Sequence, residues 1–113
     1  MELKEKYDSL TNESSVKELQ EYVKQMIRDR GFENEDIKDQ MILLTEETGE
    51  LAKAIRKTIG LKLDIAKDND KYDIKGEIAD IFNYLLSMCC TLDIDLIECW
   101  RQKEAKNFER NWK

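Results

Sequence analysis

Apolar residues recur along most of this chain at intervals of three, four and seven, which is the spacing of one face of an α-helix. No stretch alternates strictly between apolar and polar positions for long enough to predict a strand. Proline is absent and there are only four glycines, so the few breaks that remain indicate helix boundaries. The pattern therefore predicts an all-α protein built from four amphipathic helices.

The first predicted helix begins after a polar, weakly patterned N-terminal segment, residues 1–14. Ser15 and Glu18 have the spacing of a capping box at its start, and Gly31 follows its end. Because 113 residues suffice for one core and not for two, we expect a single domain over residues 15–113.

A second helix is predicted from the apolar series that runs from Ile37 to Ile59, with Gly60 just beyond its end. The polar stretch after it, residues 61–73, is longer than an ordinary connection between neighbouring helices. Such a segment is often functional, and we leave open whether it closes over a substrate or packs against a partner subunit.

The third helix is predicted to begin after Asp73 as its N-cap and to reach Leu92, and it should be the most buried of the four. A fourth helix, capped by Thr91 or Asp93, continues to Phe108. None of these helices can bury its apolar face alone, so we expect a four-helix bundle-like fold that is completed by self-association.

Two pairs of acids share a spacing on the second and third helices. Glu47 and Glu50 are three residues apart, as are Glu77 and Asp80, so each pair stands on one helix face, at the flank of its apolar stripe. If the helices run antiparallel, the four carboxylates converge and offer the hard oxygen ligands that magnesium or manganese prefers. The alternative is two solvated helix faces, where glutamate is a common residue.

Composition narrows the range of functions. The formal net charge is -6 and the basic residues are scattered, which argues against duplex nucleic acid as a partner. Cys89, Cys90 and Cys99 are odd in number and lack a CxxC spacing, so we expect reduced core cysteines in a cytoplasmic protein. No apolar run approaches the ~18 residues of a membrane span, and we expect a soluble protein without a membrane partner.

Three other sites built on acids or phosphates fit poorly. A ferritin-like di-iron centre requires Glu-x-x-His elements, and the chain contains no histidine. The EETG sequence is similar to the end of a Nudix box, but the upstream positions of that motif hold the wrong residue types. A phosphate-binding GxxxxGK loop is also absent.

The order of the motifs resembles a known family. EETGE, 26 intervening residues and EIAD match the EExxE and ExxD signature of MazG-like all-α nucleoside triphosphate pyrophosphohydrolases. ELAKAIRK follows the first motif, DIFNYLLSM overlaps and follows the second, and Lys103, Asn107 and Arg110 form a further Lys-x3-Asn-x2-Arg pattern. The resemblance covers about residues 15–112 and implies the MazG fold.

The resemblance also implies a chemistry: hydrolysis between the α and β phosphates to a nucleoside monophosphate and pyrophosphate. The metal ligands for Mg²⁺, with Mn²⁺ as a substitute, would be Glu47, Glu50, Glu77 and Asp80. Glu46 would join Glu47 in catalysis by binding a further ion or orienting the attacking water. Lys103, Asn107 and Arg110 would contact phosphate or sugar, although an ordinary exposed C-terminal face is the alternative. A homo-oligomer, dimer or tetramer, is implied as well.

Base recognition stays open at this point. Phe82, Tyr84 and Trp100 could stack on a base, but aromatic residues at helical spacing more often belong to a core. Asn83 could read a base edge or bond across the bundle. Three functions remain: broad nucleotide-pool cleaning, a dCTP- or dUTP-directed pyrophosphohydrolase, and a non-enzymatic helical interaction module.

Overall fold

The computed structural model describes residues 1–60 and 73–110. Within these ranges the chain forms five α-helices and no strand, which confirms the all-α prediction. The helices are α1 (Leu3–Asp8), α2 (Val16–Asp29), α3 (Ile37–Gly60), α4 (Ile74–Leu92) and α5 (Leu96–Phe108). The predicted segment 61–73 lies outside the described residues except for Asp73.

Two compact units make up the chain. Residues 1–34 and 86–110 form the first, and the described residues between Glu35 and Leu85 form the second. No helix in the described ranges is long and apolar enough to cross a membrane.

Helix α2 begins and ends as the sequence predicts. The Ser15 hydroxyl accepts a hydrogen bond from the Glu18 backbone N–H at 3.1 Å, and the Glu18 carboxylate accepts one from the Ser15 N–H at 3.1 Å. This capping box satisfies two backbone donors that a helix start leaves unpaired. After the helix, Gly31 takes a φ of 77°, a conformation that side chains with a Cβ rarely adopt.

The core of the first unit is centred on α2 and the end of α4. Val23, Met26 and Leu86 are buried there, each with at most 6% of its surface exposed. The Gln20 side chain joins α2 to the start of α5, because its amide donates to the Ile94 carbonyl at 2.9 Å and accepts from the Leu96 N–H at 3.0 Å.

The N-terminal segment, residues 1–14, is more ordered than the sequence pattern indicates, because it contains α1. Leu3 packs against the core of the first unit, and the Tyr7 and Tyr22 rings lie 6.5 Å apart between centroids. The Lys4 ammonium contacts the Asp8 carboxylate at 2.8 Å, one turn away. A helix this short is marginal alone, so its packing on α2 accounts for its presence.

The predicted cap of the last helix was wrong. Asp95 is the N-cap of α5, and its carboxylate accepts from the Glu98 N–H at 3.1 Å. Thr91 lies inside α4, and Asp93 ends that helix with a φ of 55°. The left-handed conformation at Asp93 lets the Ile94 N–H donate to the Cys89 carbonyl at 2.9 Å, as helix C-terminal motifs require.

The cysteines also divide differently from the prediction. Cys89 is buried and Cys90 is half-buried, but Cys99 is exposed on α5, and all three are free thiols. The expectation that all three are core residues is therefore wrong for Cys99.

In the second unit, α3 buries a face that is rotated from its apolar stripe. The buried residues Gln40, Ala54 and Thr58 are spaced by fourteen and four. Met41 and Ile59, which belong to the apolar stripe, are 50% and 62% exposed. A helix turns by about 100° per residue, so the buried face lies roughly a sixth of a turn or more from the stripe. Gly60 is the last residue of α3, so the prediction that it lies just beyond the helix end was wrong.

Asp73 caps α4 as predicted, since its carboxylate accepts from the Gly76 N–H at 2.9 Å. A Cβ added to Gly76 would collide with this carboxylate, whereas one added to Gly49 on α3 would have no atom within 4 Å. We expect Gly76→Ala to lower the free energy of unfolding by about 1 kcal/mol through loss of the cap. Gly49→Ala should raise it by up to about 1 kcal/mol, because alanine favours a helix interior.

Urea denaturation in the presence of a chelator measures both changes against the unaltered protein. Opposite shifts of the two midpoints are expected. Shifts of the same sign would mean that the Asp73 carboxylate does not stabilise the start of α4.

Candidate metal centre

Helix α3 supplies three of the predicted acids, but it places them differently. Glu47 is seven residues from both Gln40 and Ala54. Seven residues make about two helical turns, so all three side chains lie on the same face of α3. Glu47 is therefore half-buried, while Glu46 and Glu50 are exposed. Burial of this face explains why only Glu47, of the three glutamates within five residues, is directed to the interior of the unit.

Helix α4 supplies the other two acids from its first two turns. Glu77 is half-buried and Asp80 is exposed, and their spacing of three places them on the same side of the helix. One Glu77 oxygen, Oε2, is buried and accepts no hydrogen bond from any described residue. A buried oxygen in this condition is costly unless a donor or a cation reaches it.

Glu47, Glu77 and Asp80 come together across the two helices. Each offers a carboxylate oxygen, and these three oxygens lie within 4.8 Å of one another. Two oxygens on opposite sides of one magnesium ion are separated by about 4.2 Å, twice the usual Mg–O bond length. The upper limit of 4.8 Å is close to this separation, so small side-chain rotations would bring all three oxygens to one ion.

The electrostatics of the cluster are those of crowded acids. The pKa of Glu77 rises to about 7, first because its carboxyl shares a hydrogen bond with Glu47 and then because of burial and repulsion by the neighbouring acids. The pKa of Asp80 is also raised, mainly by burial and then by the charges of Glu47 and Asp73. Among the described residues, the charges that act on these two carboxyls are those of other acids. A divalent cation would remove the repulsion, and hard carboxylate oxygens suit Mg²⁺ or Mn²⁺.

The remaining α3 acids lie near the cluster without joining its closest group. The charge of Glu50 contributes to the raised pKa of Glu77, but the Glu50 carboxylate is not among the three whose oxygens converge. The charge of Glu46 helps to raise the pKa of Tyr84. The Glu46 carboxylate is not among the three whose oxygens converge. The geometry therefore brings together three of the four predicted metal ligands.

Tyr84 lies on the acidic side of α4. Its pKa is raised by burial, then by Glu35, and then by the nearby α3 and α4 acids Glu47, Asp80 and Glu46. Glu35 and Asp73 were not among the predicted site residues, yet both add to the negative potential around the cluster. The spacing of seven between Asp73 and Asp80 is a signal of a shared helix side that the sequence already contained.

The part of the chain that contains these acids matches a known protein family. The model of the MazG nucleotide pyrophosphohydrolase domain matches residues 35–112, well over half of the chain. The chain belongs to this family. No curated protein and no solved structure gave a significant match.

The MazG match includes both pairs of acids and all of α5, and it excludes α1 and α2. Members of the family typically depend on a divalent metal, which fits the three converging carboxylates. Residues 15–34 precede the match, so their inclusion in the domain stays a prediction, supported by the packing of α2 against Leu86.

The three residues of the Lys-x3-Asn-x2-Arg pattern belong to the first compact unit, whereas the acids belong to the second. Lys103 and Asn107 belong to α5, and Arg110 follows its end. The Asn107 amide donates to the Glu104 carboxylate at 3.2 Å. Contact of these three residues with a phosphate or a sugar remains a prediction.

The other candidate base contacts differ in exposure. Trp100 is 59% exposed on α5 and Phe82 is 37% exposed on α4, so neither is a fully buried core residue of the described chain. Asn83 is half-buried and has a polar partner. None of these environments by itself identifies a base.

Proposed function

We propose that this protein hydrolyses (deoxy)nucleoside triphosphates between the α and β phosphates, with release of a nucleoside monophosphate and pyrophosphate. The observation that carries the proposal is the convergence of the Glu47, Glu77 and Asp80 oxygens within 4.8 Å. Membership in the MazG family supplies the class of reaction.

The proposed mechanism assigns one task to each group of residues. Glu47, Glu77 and Asp80, with Glu50 as the fourth ligand, hold the metal, Mg²⁺ or in its place Mn²⁺. When bound, such an ion would neutralise charge on the phosphate oxygens and polarise the attacking water. Glu46 orients the attacking water or helps to bind a further ion, and Glu47 acts with it in catalysis. Water attacks the α phosphorus and gives its proton to a neighbouring carboxylate of this group. The bond from the α phosphorus to the bridging oxygen breaks, and pyrophosphate leaves.

Phosphate contacts are proposed for the basic residues of α5 and of the segment that follows it. Lys103 and Arg110 supply cationic donors, of which the guanidinium suits two phosphate oxygens at once. Asn107 offers an amide for the sugar or a phosphate. We further propose a role in nucleotide-pool cleaning in the cytoplasm, and the nucleotide preference decides between broad cleaning and a dCTP- or dUTP-directed enzyme.

A nucleotide panel tests the proposed reaction. We expect pyrophosphate release from at least one (deoxy)nucleoside triphosphate with magnesium present, and none after chelation. Chromatography of the nucleotide product should show the monophosphate rather than the diphosphate. Release of orthophosphate would place cleavage at the wrong bond, and no release from any nucleotide would favour a helical interaction module.

Self-association is proposed from the apolar surface of the second unit. Ile78, Phe82 and Leu85 form a stripe on α4 with exposures of 54%, 37% and 41%, and this spacing of four and three defines one helix face. Contiguous exposed apolar surface of this kind is typical of an interface. We expect a dimer or a tetramer in light scattering coupled to size exclusion.

A charge on the stripe tests which surface is used. Ile78→Lys should reduce the measured mass toward that of the monomer, because a lysine would be buried without a partner. Phe108→Lys is the matched control, since Phe108 is 86% exposed on α5 and lies off the stripe. A monomeric unaltered protein, or equal loss of mass in both variants, would contradict an interface on α4.

A further inference from the structure

A small pocket lies between α1 and α2, outside the residues that the MazG family model matches. Its volume is about 350 Å³, and it is lined by Leu3, Lys4, Tyr7, Tyr22 and Arg30. All five residues belong to the first compact unit. This tyrosine pocket contains none of the acids assigned to the metal centre, so the proposed hydrolysis does not account for it.

Two phenol rings form much of the wall of the tyrosine pocket. The Tyr7 and Tyr22 rings are tilted by 56° with centroids 6.5 Å apart, so they meet at an angle rather than as a flat stack. Tyr7 remains 56% exposed and Tyr22 is half-buried. Aromatic walls of this kind favour a planar aromatic group, because any nucleobase can stack on a ring face.

The charges of the tyrosine pocket favour an anion. The Lys4 ammonium lies 4.9 Å from the Tyr7 ring centroid and is paired with Asp8 at 2.8 Å, so its charge is largely compensated. Arg30 is exposed and forms an ion pair with no described carboxylate. Its guanidinium is therefore the group with capacity for a phosphate, which it can bind through two parallel hydrogen bonds.

We propose that the tyrosine pocket is a second nucleotide site that binds a nucleoside monophosphate. The base contacts the tyrosine rings and the phosphate contacts Arg30, with Leu3 as an apolar wall. A volume near the small end of ligand pockets, which span roughly 300 to 1,000 Å³, suits a mononucleotide. One uncompensated cation matches a single phosphate better than a triphosphate. Binding here requires no divalent metal, because no lining residue is an acid.

The test is a titration of the full chain with adenosine 5′-monophosphate in the presence of a chelator, followed by amide chemical shifts. We expect shifts at Lys4, Tyr7, Tyr22 and Arg30. Adenosine and ribose 5-phosphate each lack one half of the ligand, and each should bind about tenfold more weakly, the effect of one lost stacking or charged hydrogen-bonding contact.

Two arginine variants distinguish specific binding in the tyrosine pocket from nonspecific attraction of an anion by positive charge. Arg30→Gln should weaken binding of the monophosphate by about tenfold, a loss of one charge-assisted contact. Arg28→Gln, on the last turn of α2 and outside the pocket lining, should leave it unchanged. Both variants are compared with the unaltered protein for their far-ultraviolet circular dichroism.

Several outcomes would overturn the tyrosine pocket as a nucleotide site. These are the absence of shifts at the four residues, equal binding of ribose 5-phosphate and the monophosphate, and equal loss in the two arginine variants. Each leaves pyrophosphate release untouched, so failure here is distinct from failure of the proposed hydrolysis.

Discussion

Replacing Glu47 with glutamine should lower magnesium-dependent pyrophosphate release by at least about a hundredfold, while the helical circular dichroism signal stays the same. A bound metal ion supplies several kcal/mol of transition-state stabilisation, which is lost when the ion is no longer held, and each 1.4 kcal/mol is a factor of ten in rate. Glutamine keeps the size of Glu47 but offers a neutral amide to the ion. Asp80→Asn should have an effect of the same order, because Asp80 belongs to the same group of three oxygens.

Graded controls make this result specific to the cluster. Glu50→Gln should lower the rate of pyrophosphate release by a smaller factor, because Glu50 is not among the three closest acids. Glu21→Gln changes an exposed glutamate on α2 and should leave the rate unchanged. Turnover at the unaltered rate in Glu47→Gln would remove the metal centre from the mechanism, and a lost helical signal would show a structural role instead.

Magnesium should bind about tenfold more weakly at pH 6 than at pH 8. In the metal-free protein the pKa of Glu77 is about 7, so at pH 6 most molecules carry a proton that the ion must displace. At pH 8 that proton is already absent, and the competition ends. The proton belongs to the hydrogen-bonded pair of Glu77 and Glu47 rather than to one carboxyl.

Calorimetric titration in two buffers with different heats of ionisation counts the released protons. About one proton should leave per bound ion at pH 6, and close to none at pH 8. A count close to zero at both pH values would show that the pKa of the pair is not raised.

The same shift has a consequence for folding without metal. The folded-state pKa of Glu77 lies above its ordinary value of 4.5, so between these values the folded protein holds more protons than the unfolded chain. The stabilisation is fully present below pH 4.5 and is lost as the pH rises through about 7. Comparison of unaltered protein with Glu77→Gln, both with chelator, isolates this contribution from that of the other acids.

Local signals in the sequence were enough to predict most of the helices. Ser15 and Asp73 cap their helices through residues only three positions away, so tertiary structure is not needed to recognise them. The long apolar series of α3 and α4 likewise gave the type and approximate bounds of both helices. These features depend on neighbours in the chain, which a single sequence displays directly.

Features that depend on distant packing were missed. Helix α1 has six residues, too few for a stable isolated helix, and it depends on the contact of Leu3 with the core. Asp93 and Asp95 are equally good cap residues by type. The left-handed backbone at Asp93 and the Gln20 contact with Leu96 determine that the helix starts at Asp95, and neither is visible in the local pattern.

The sequence predicted that all four acids of the two pairs would contribute alike to the candidate site. In the structure, Glu50 lies outside the group that the other three form. Spacing alone places Glu47 and Glu50 on the flank of the apolar stripe of α3. The structure buries the face of Gln40 and Thr58 instead, which contains Glu47 and not Glu50. A single sequence could not show this, because the exposed stripe through Met41 and Ile59 is the more apolar of the two faces.

Because Glu47 lies on the buried face of α3, the fraction of the protein that is folded should depend on the concentration of the cation. Acids gathered there repel one another whenever the ion is absent, and a ligand that binds only the folded state stabilises it by mass action. In the proposed enzyme the ion therefore stabilises the folded state, in addition to neutralising the phosphate charge of the substrate. Scarcity of magnesium would then reduce the number of intact molecules, beyond slowing each one.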